Sequence, residues 1–344
     1  MNIVMALLPS ESSDAEKYVI NLSDELLRRG HNVYILSDTI SRNSETEHIQ
    51  FPFCETGLSN CVRNIVALRR FIKDIEINLI HAHGVDKSVC WAARTSGIPL
   101  MTTLHGFTPD IKQSISPSLH GQKTLVAWEQ IRAGAATTAG MKADKIETVN
   151  TGIDPDYFSP QTFKKKSSRP IVTLVGGLTG PRGQIALKMM QEVFEYGKYN
   201  VRVVGDDYLP AEFAEFENTI ELVGETNDPR MHLAESALVI ASGSAAVEAL
   251  MMGRPLVAVG TARSIGLIDE DNIEEAIACA FGDIDCKGRI RHNFEAIQRD
   301  IARGIAQKYA SDGVHETVLR TFSLKEIADR IEKIYEELIE QSKK

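Results

Sequence analysis

A single carboxylate, Glu248, stands inside an otherwise apolar helical stretch, AAVEALMM (245–252), four residues beyond the end of Ser242-Gly243-Ser244. These residues follow ALVIA (237–241), an unbroken apolar run that reads as a buried parallel strand. Small polar residues after a strand open a helix, with Ser242 or Ser244 as its N-cap. Backbone N–H groups and the positive dipole end then point out of the sheet with no bulky side chain in front. Such a helix start is a seat for a phosphate or diphosphate. An ionised carboxylate one turn further along can accept two hydrogen bonds from the cis-diol of a ribose. From this segment alone, a solvated helix-face glutamate beside an ordinary strand–loop–helix joint has equal standing. Other chemistries find less support. DPD (154–156), DED (269–271) and DID (283–285) have the D-x-D form of a metal–diphosphate loop, but each reads as turn or helix-cap chemistry. The first strand–helix loop, PSESSDAE (9–16), has no glycine, and VGGLTGPRG (175–183) does not make G-x-G-x-x-G. Both facts argue against a dinucleotide-dependent dehydrogenase, and no P-loop motif is present.

The rest of the chain supplies elements able to hold such a seat. Apolar strand-like runs alternate with helical patterns: 2–8, 32–36, 78–82, 99–104 and 146–150, then 170–176, 200–205, 219–224, 237–241 and 255–260. Strands without two-residue alternation, separated by helices, predict doubly wound parallel sheets covered on both faces. TGIDPDYFSPQTFKKKSSRP (151–170) breaks the pattern and reads as a link, its lysines 164–166 solvating the linker. The expected organisation is a Rossmann-like domain over 1–155, a second over 166–322, and a C-terminal helix over 323–344 with apolar residues at helical spacing. Facing domains of this kind enclose a ligand cleft at the carboxyl ends of their strands.

Composition narrows the function further. The chain has 344 residues, 43% of them hydrophobic, and a formal charge of −9, which argues against a nucleic-acid partner. No apolar run approaches the length of a membrane span, and MNIVMALLPSESSD (1–14) lacks the features of a signal peptide. The five cysteines have no C-x-x-C spacing, so reduced thiols in a cytoplasmic protein, without a zinc site, are expected. VRNIVALRRFIKDI (62–75) is a basic amphipathic helix. Peripheral membrane contact would use such a helix, but a sheet-covering helix needs the same pattern, and that structural reading is favoured.

Several segments together resemble the retaining glycosyltransferases of family 4, with the GT-B architecture. They are the opening strand–loop–helix with RRGHNVYILS (28–37), INLIHAHG (77–84) with GIPLMTTLHG (97–106), VNTGIDPDYFSP (149–160), LVGGLTGPRG (174–183) and the tail TFSLKEIADRIEKIYEELI (321–339). The resemblance implies that His105 contacts the transferred sugar, with His81 and His83 structural beside it. Arg182 matches the family's lysine, a fixed cation for the departing diphosphate that makes a metal unnecessary. Gly183 would let the backbone approach the phosphates. Ser242, Gly243 and Ser244 would hold them, and Glu248 would bind the ribose. Gly205 and Asp206 stand where the family carries its base-proximal Gly-Asp-Gly, and Glu225 lies in the loop GETNDP (224–229) that corresponds to the nucleobase clasp.

Departures bear on mechanism. The family's Glu-x7-Glu motif retains only its second member, because Ile240 stands eight positions before Glu248. Gly177 replaces an arginine, and Ser13 and Asp14 replace paired glycines, with S-D-A-E (13–16) reading as a capping box. The shortened loop SGSAAVEAL (242–250) looks more like lipid-linked N-acetylglucosaminyl transferases and non-hydrolysing UDP-GlcNAc epimerases. The expected function is transfer of a sugar from a nucleotide-diphosphate sugar, UDP-linked, to a small-molecule, lipid-linked or glycan acceptor. Retention, no metal and no cofactor beyond the donor are expected. A nucleotide-sugar epimerase and a catalytically degenerate binding subunit are the alternatives.

Overall fold

Each apolar run named above is a strand in the computed structural model, which describes residues 1–8, 13–41, 43–53, 57–105, 121–138, 141–160, 168–285 and 291–343, the side chains of 13, 14, 137 and 138 excepted. The capping-box reading at 13–16 and the lysines 164–166 therefore fall wholly or partly outside the described residues. The chain divides into two units, Met1–Asp154 with Phe322–Lys344, and Pro155–Thr321.

The first unit alternates β1 (Asn2–Leu7), α1 (Ser13–Arg28), β2 (Asn32–Ser37), β3 (Glu47–Gln50), α2 (Leu58–Asp74), β4 (Leu79–His83), α3 (Lys87–Ser96), β5 (Leu100–Leu104), β6 (Lys123–Val126), α4 (Glu129–Thr138) and β7 (Ile146–Thr148). Its sheet runs β3-β2-β1-β4-β5-β6-β7 and every pairing is parallel. Both faces are covered, so β4 and β5 are buried at every position, and the two histidines of β4 must find partners inside the protein. On α2, Asn64, Leu68 and Ile72 face inward, while Leu58, Val62 and Val66 lie on the exposed side.

The second unit contains β8 (Ile171–Val175), α5 (Gly180–Glu192), β9 (Asn200–Val204), β10 (Ile220–Gly224), α6 (Arg230–Glu235), β11 (Leu238–Ala241), α7 (Gly243–Met251), β12 (Leu256–Val259), β13 (Ser264–Leu267), α8 (Ile273–Ala278), α9 (Phe294–Gln307) and α10 (Asp312–Phe322). The strand order is β10-β9-β8-β11-β12-β13. The sheet is parallel except at its edge, where β13 pairs antiparallel with β12. The chain reverses between them in a short connection that allows no crossover helix, so the edge cannot be parallel.

The last helix, α11 (Leu324–Ser342), belongs to the first unit. Ile327, Ala328, Ile331, Ile334, Tyr335 and Leu338 join the core that holds Ile3 and Met5 of β1 and Leu22 and Leu26 of α1. At roughly 1.5–3 kcal/mol for each large apolar side chain removed from water, this face makes α11 an integral part of that core. Its entry is stitched by Ile153 N–H to the Phe322 carbonyl at 2.8 Å and Leu324 N–H to the Ile153 carbonyl at 2.9 Å. Among the described residues, no helix is long and apolar enough to cross a membrane.

Candidate active site

In the second unit, β8 and β11 are neighbours in a parallel sheet, so the helices that follow them start at the same edge. Thr179 stands at the N-cap position of α5 and Pro181 occupies its first turn, where its missing N–H costs nothing. Arg182 leaves that turn alongside Gly176, which has φ +144°; a Cβ there would lie 2.8 Å from Arg182 Cδ, so only glycine leaves the arginine its path. The guanidinium crosses to α7. Its Nη1 donates to Ser242 Oγ at 2.8 Å, and its Nη2 donates to both carboxylate oxygens of Asp283 at 3.0 Å. Arg182 and the α7 start, two features 60 residues apart, thus form one cationic corner.

Ser242 is the N-cap by backbone geometry (φ −144°, ψ 173°), yet its hydroxyl accepts from Arg182 rather than capping the helix. Gly243 follows with φ 57°, a left-handed turn that glycine adopts without strain, and Ser244 lies within the first turn. The amides of Gly243, Ser244 and Ala245 have no acceptor within the helix itself. Glu248 is 4% exposed on the same helix. Tyr157 also lies in this unit: burial, then Asp228, and to a smaller degree Glu248, raise its hydroxyl above the ordinary tyrosine range. Its ring carries the Arg230 guanidinium at 3.5 Å from the centroid, and Arg230 donates to both oxygens of Asp228 at 2.7 and 2.6 Å. A recess beside the cationic corner is lined by Val175, Gly176, Gly177, Arg182, Ile185 and Gly260.

Other residues singled out in the sequence make contacts within the second unit. Gly183 is buried in α5, its N–H donates to the Thr179 carbonyl at 3.0 Å, and a Cβ there would sit 2.0 Å from the Leu178 carbonyl oxygen. Close packing of helix on loop is by itself a sufficient reason for glycine at this position. Gly205 comes so close to Gly176 that a Cβ would meet the Gly176 carbonyl oxygen at 2.5 Å. Asp206 accepts from the Leu178 amide and ties the end of β9 to the β8–α5 loop. Glu225 is exposed, with its amide held by Asp207 Oδ1 at 2.8 Å. Asp283, assigned above to turn chemistry, is the residue that composition and spacing missed: it is the carboxylate partner of Arg182, and also accepts from the Thr261 amide at 3.0 Å.

His105 lies in the first unit, directly after β5, half-buried in a stack with the buried rings of His83 and Tyr18. Its Nε2 is 2.9 Å from His83 Nδ1, and the two rings stack at 26° with centroids 5.2 Å apart. Tyr18 meets both edge-on. His81 is held between the Tyr335 hydroxyl at 2.7 Å and Thr103 Oγ1 at 2.6 Å. Burial pushes His105 down to about 4 and, together with the His105 ring, His81 down to about 3. Burial likewise holds His83 well below the ordinary imidazole value. All three are neutral at pH 7, so His105 offers hydrogen bonds rather than a positive charge. Among the described residues, His83 Nε2 is buried without a hydrogen-bond partner.

Among the described residues, no three His, Cys, Asp or Glu side chains are placed to hold a metal ion. Among the described residues Cys61 is a free thiol, whereas Cys279 is disulfide-bonded, against the expectation of uniformly reduced cysteines.

Comparison with known proteins adds to this geometry. Residues 15–157 match the model of Glycosyltransferase Family 4. A glycosyltransferase from Rickettsia africae has TM-score 0.78 at 18% identity, over 98% of each chain. HepE from Anabaena, solved in complex with UDP-glucose, has TM-score 0.73 at 15% identity, over 98% of this chain and 100% of that one. The UDP-GlcNAc 2-epimerase of Neisseria meningitidis, bound to UDP-GlcNAc, has TM-score 0.59 at 12% identity, over 97% and 99%. No curated protein matches the chain. The fold is therefore GT-B, two Rossmann-like units with the last helix returning to the first, and the first unit carries the family 4 sequence pattern.

Proposed function

We propose that this protein is a glycosyltransferase that uses a nucleotide-diphosphate sugar, UDP-linked, and transfers the sugar to a small-molecule, lipid-linked or glycan acceptor. The observation that carries the reading is the corner formed by Arg182 and the first turn of α7, with Glu248 one turn further along the same helix. As the glycosidic bond breaks, charge grows on the leaving diphosphate. A preset guanidinium and helix amides stabilise that charge without reorganising, so no metal is required. Glu248 accepts from the ribose hydroxyls. From the first unit we assign to His105 a hydrogen bond to the transferred sugar, in its neutral form. Retention of configuration, with the leaving diphosphate assisting removal of the acceptor proton, follows the family pattern.

The family match over 15–157 favours transfer over epimerisation, although an epimerase shares the fold. Replacing Arg182 and Glu248 by Ala separately tests the donor assignment. Loss of a charge-assisted contact weakens UDP binding by about 1.5–3 kcal/mol for each, and unchanged affinity in both variants ends the assignment. NMR of the sugar product, with and without acceptors, separates the reactions: an epimerase turns over UDP-GlcNAc alone.

A further inference from the structure

The corner assigned above to the donor diphosphate already holds an anion, and that anion belongs to the chain. Both oxygens of Asp283 accept from Arg182 Nη2 at 3.0 Å, and Oδ1 also accepts from the Thr261 amide at 3.0 Å. The other oxygen, Oδ2, lies 3.2 Å from where a Cβ on Gly243 would be, so the carboxylate sits against the residue that opens α7. A carboxylate on a guanidinium, a loop amide and a helix start has the chemistry of a bound phosphate.

The segment presenting it is unusual. Ala280, Phe281 and Gly282 run consecutively at φ 50°, 55° and 100°. Two of these residues carry side chains in the left-handed region, and Phe281 is fully buried. Such a conformation persists only where its surroundings over-determine it, and it clusters at binding sites and switches. Here the surroundings are evident: the Gly282 carbonyl accepts from the amides of Ala262 and Arg263, and the Gly282 amide donates to the Cys279 carbonyl, all at 3.0 Å. The strained turn holds Asp283 over the cationic corner.

We propose that Asp283 is a built-in occupant of the diphosphate seat. It neutralises Arg182 while the seat is empty, must yield to an incoming nucleoside diphosphate, and returns as the product leaves. Asp283 thereby sets donor affinity and favours release. The proposal rests on the donor-site reading above and adds a residue that this reading does not contain. A carboxylate that only oriented Arg182 would have the opposite effect, because its removal would loosen the guanidinium and weaken binding.

The test is calorimetric titration of UDP, with uridine as the phosphate-free control, into the full chain at fixed ionic strength. Asp283→Asn keeps an oxygen for the Thr261 amide and removes the charge. Asp283→Ser is the second variant should the first fail to fold. UDP is expected to bind at least tenfold more tightly to the variant, with uridine binding unchanged. UDP affinity that is equal or lower in the variants, while the wild-type protein binds UDP, overturns the proposal and leaves the donor site standing. If neither wild type nor variants bind any nucleoside diphosphate, the donor-site reading falls and takes the proposal with it.

Discussion

Acid should unfold the first unit through its histidine stack. In the unfolded chain His105 takes up a proton near pH 6.5, whereas in the folded unit burial delays uptake to about pH 4. The unfolded state therefore binds more protons between those values, and folding stability falls as the pH drops through this window. From the two pKa values, His105 alone removes about 2 kcal/mol at pH 5 relative to neutral pH, rising to about 3.4 kcal/mol once the pH is well below 4. His81, which titrates at about 3 in the folded unit, removes a similar amount at pH 5. Against a typical domain stability of about 5–15 kcal/mol, the two together are a large fraction. The perturbation is His105→Asn, which keeps a polar side chain beside His83 and removes the titration. Both tryptophans, Trp91 and Trp128, lie in the first unit, so fluorescence-monitored urea unfolding reads that unit selectively. The variant is expected to lose about 2 kcal/mol less than wild type between pH 7.5 and 5. Carboxylates contribute little above pH 5, and any effect of the substitution itself on stability cancels in this comparison. Parallel pH dependences in the two proteins would refute the account of a His105 held neutral in the fold.

Tyr335→Phe removes the hydroxyl 2.7 Å from His81 Nδ1, leaving a buried ring nitrogen without that partner. The same urea melts should show a loss of about 1–3 kcal/mol, and an unchanged midpoint would contradict the role given to α11. Gly183→Ala forces a Cβ to within 2.0 Å of the Leu178 carbonyl oxygen, whereas a Cβ at Gly197 meets nothing within 4 Å. Circular-dichroism melting should show the first variant about 1–3 kcal/mol less stable and the second near neutral; equal stability would contradict the packing reading of Gly183.

The strands that form the sheet interiors were legible because parallel sheets buried on both faces need unbroken apolar runs, as in LIHAH and LVIA. The strands the sequence did not reveal lack such an unbroken apolar run. EHIQ of β3 is largely exposed, KTLV of β6 opens on a lysine, and SIGL of β13 is half-buried at its first two positions and runs antiparallel. Arg182 and the α7 start were visible as separate features, because a glycine-bounded arginine and a small-residue helix opening are local patterns. Their meeting was not, since it depends on β8 and β11 being neighbours. Asp283 was hidden for the same reason: its partner lies 101 residues away, and DID has the form of an ordinary turn. The packing at Gly183 was not legible, because a glycine needed for packing and one needed for ligand approach look alike in sequence.

A crystal structure of the protein with a bound UDP-sugar tests the central claim most directly. The diphosphate is expected within hydrogen-bond distance of the Arg182 guanidinium and the amides that open α7, with the ribose hydroxyls on Glu248. Electron density showing the Arg182–Asp283 pair intact and the diphosphate absent or bound elsewhere would contradict it.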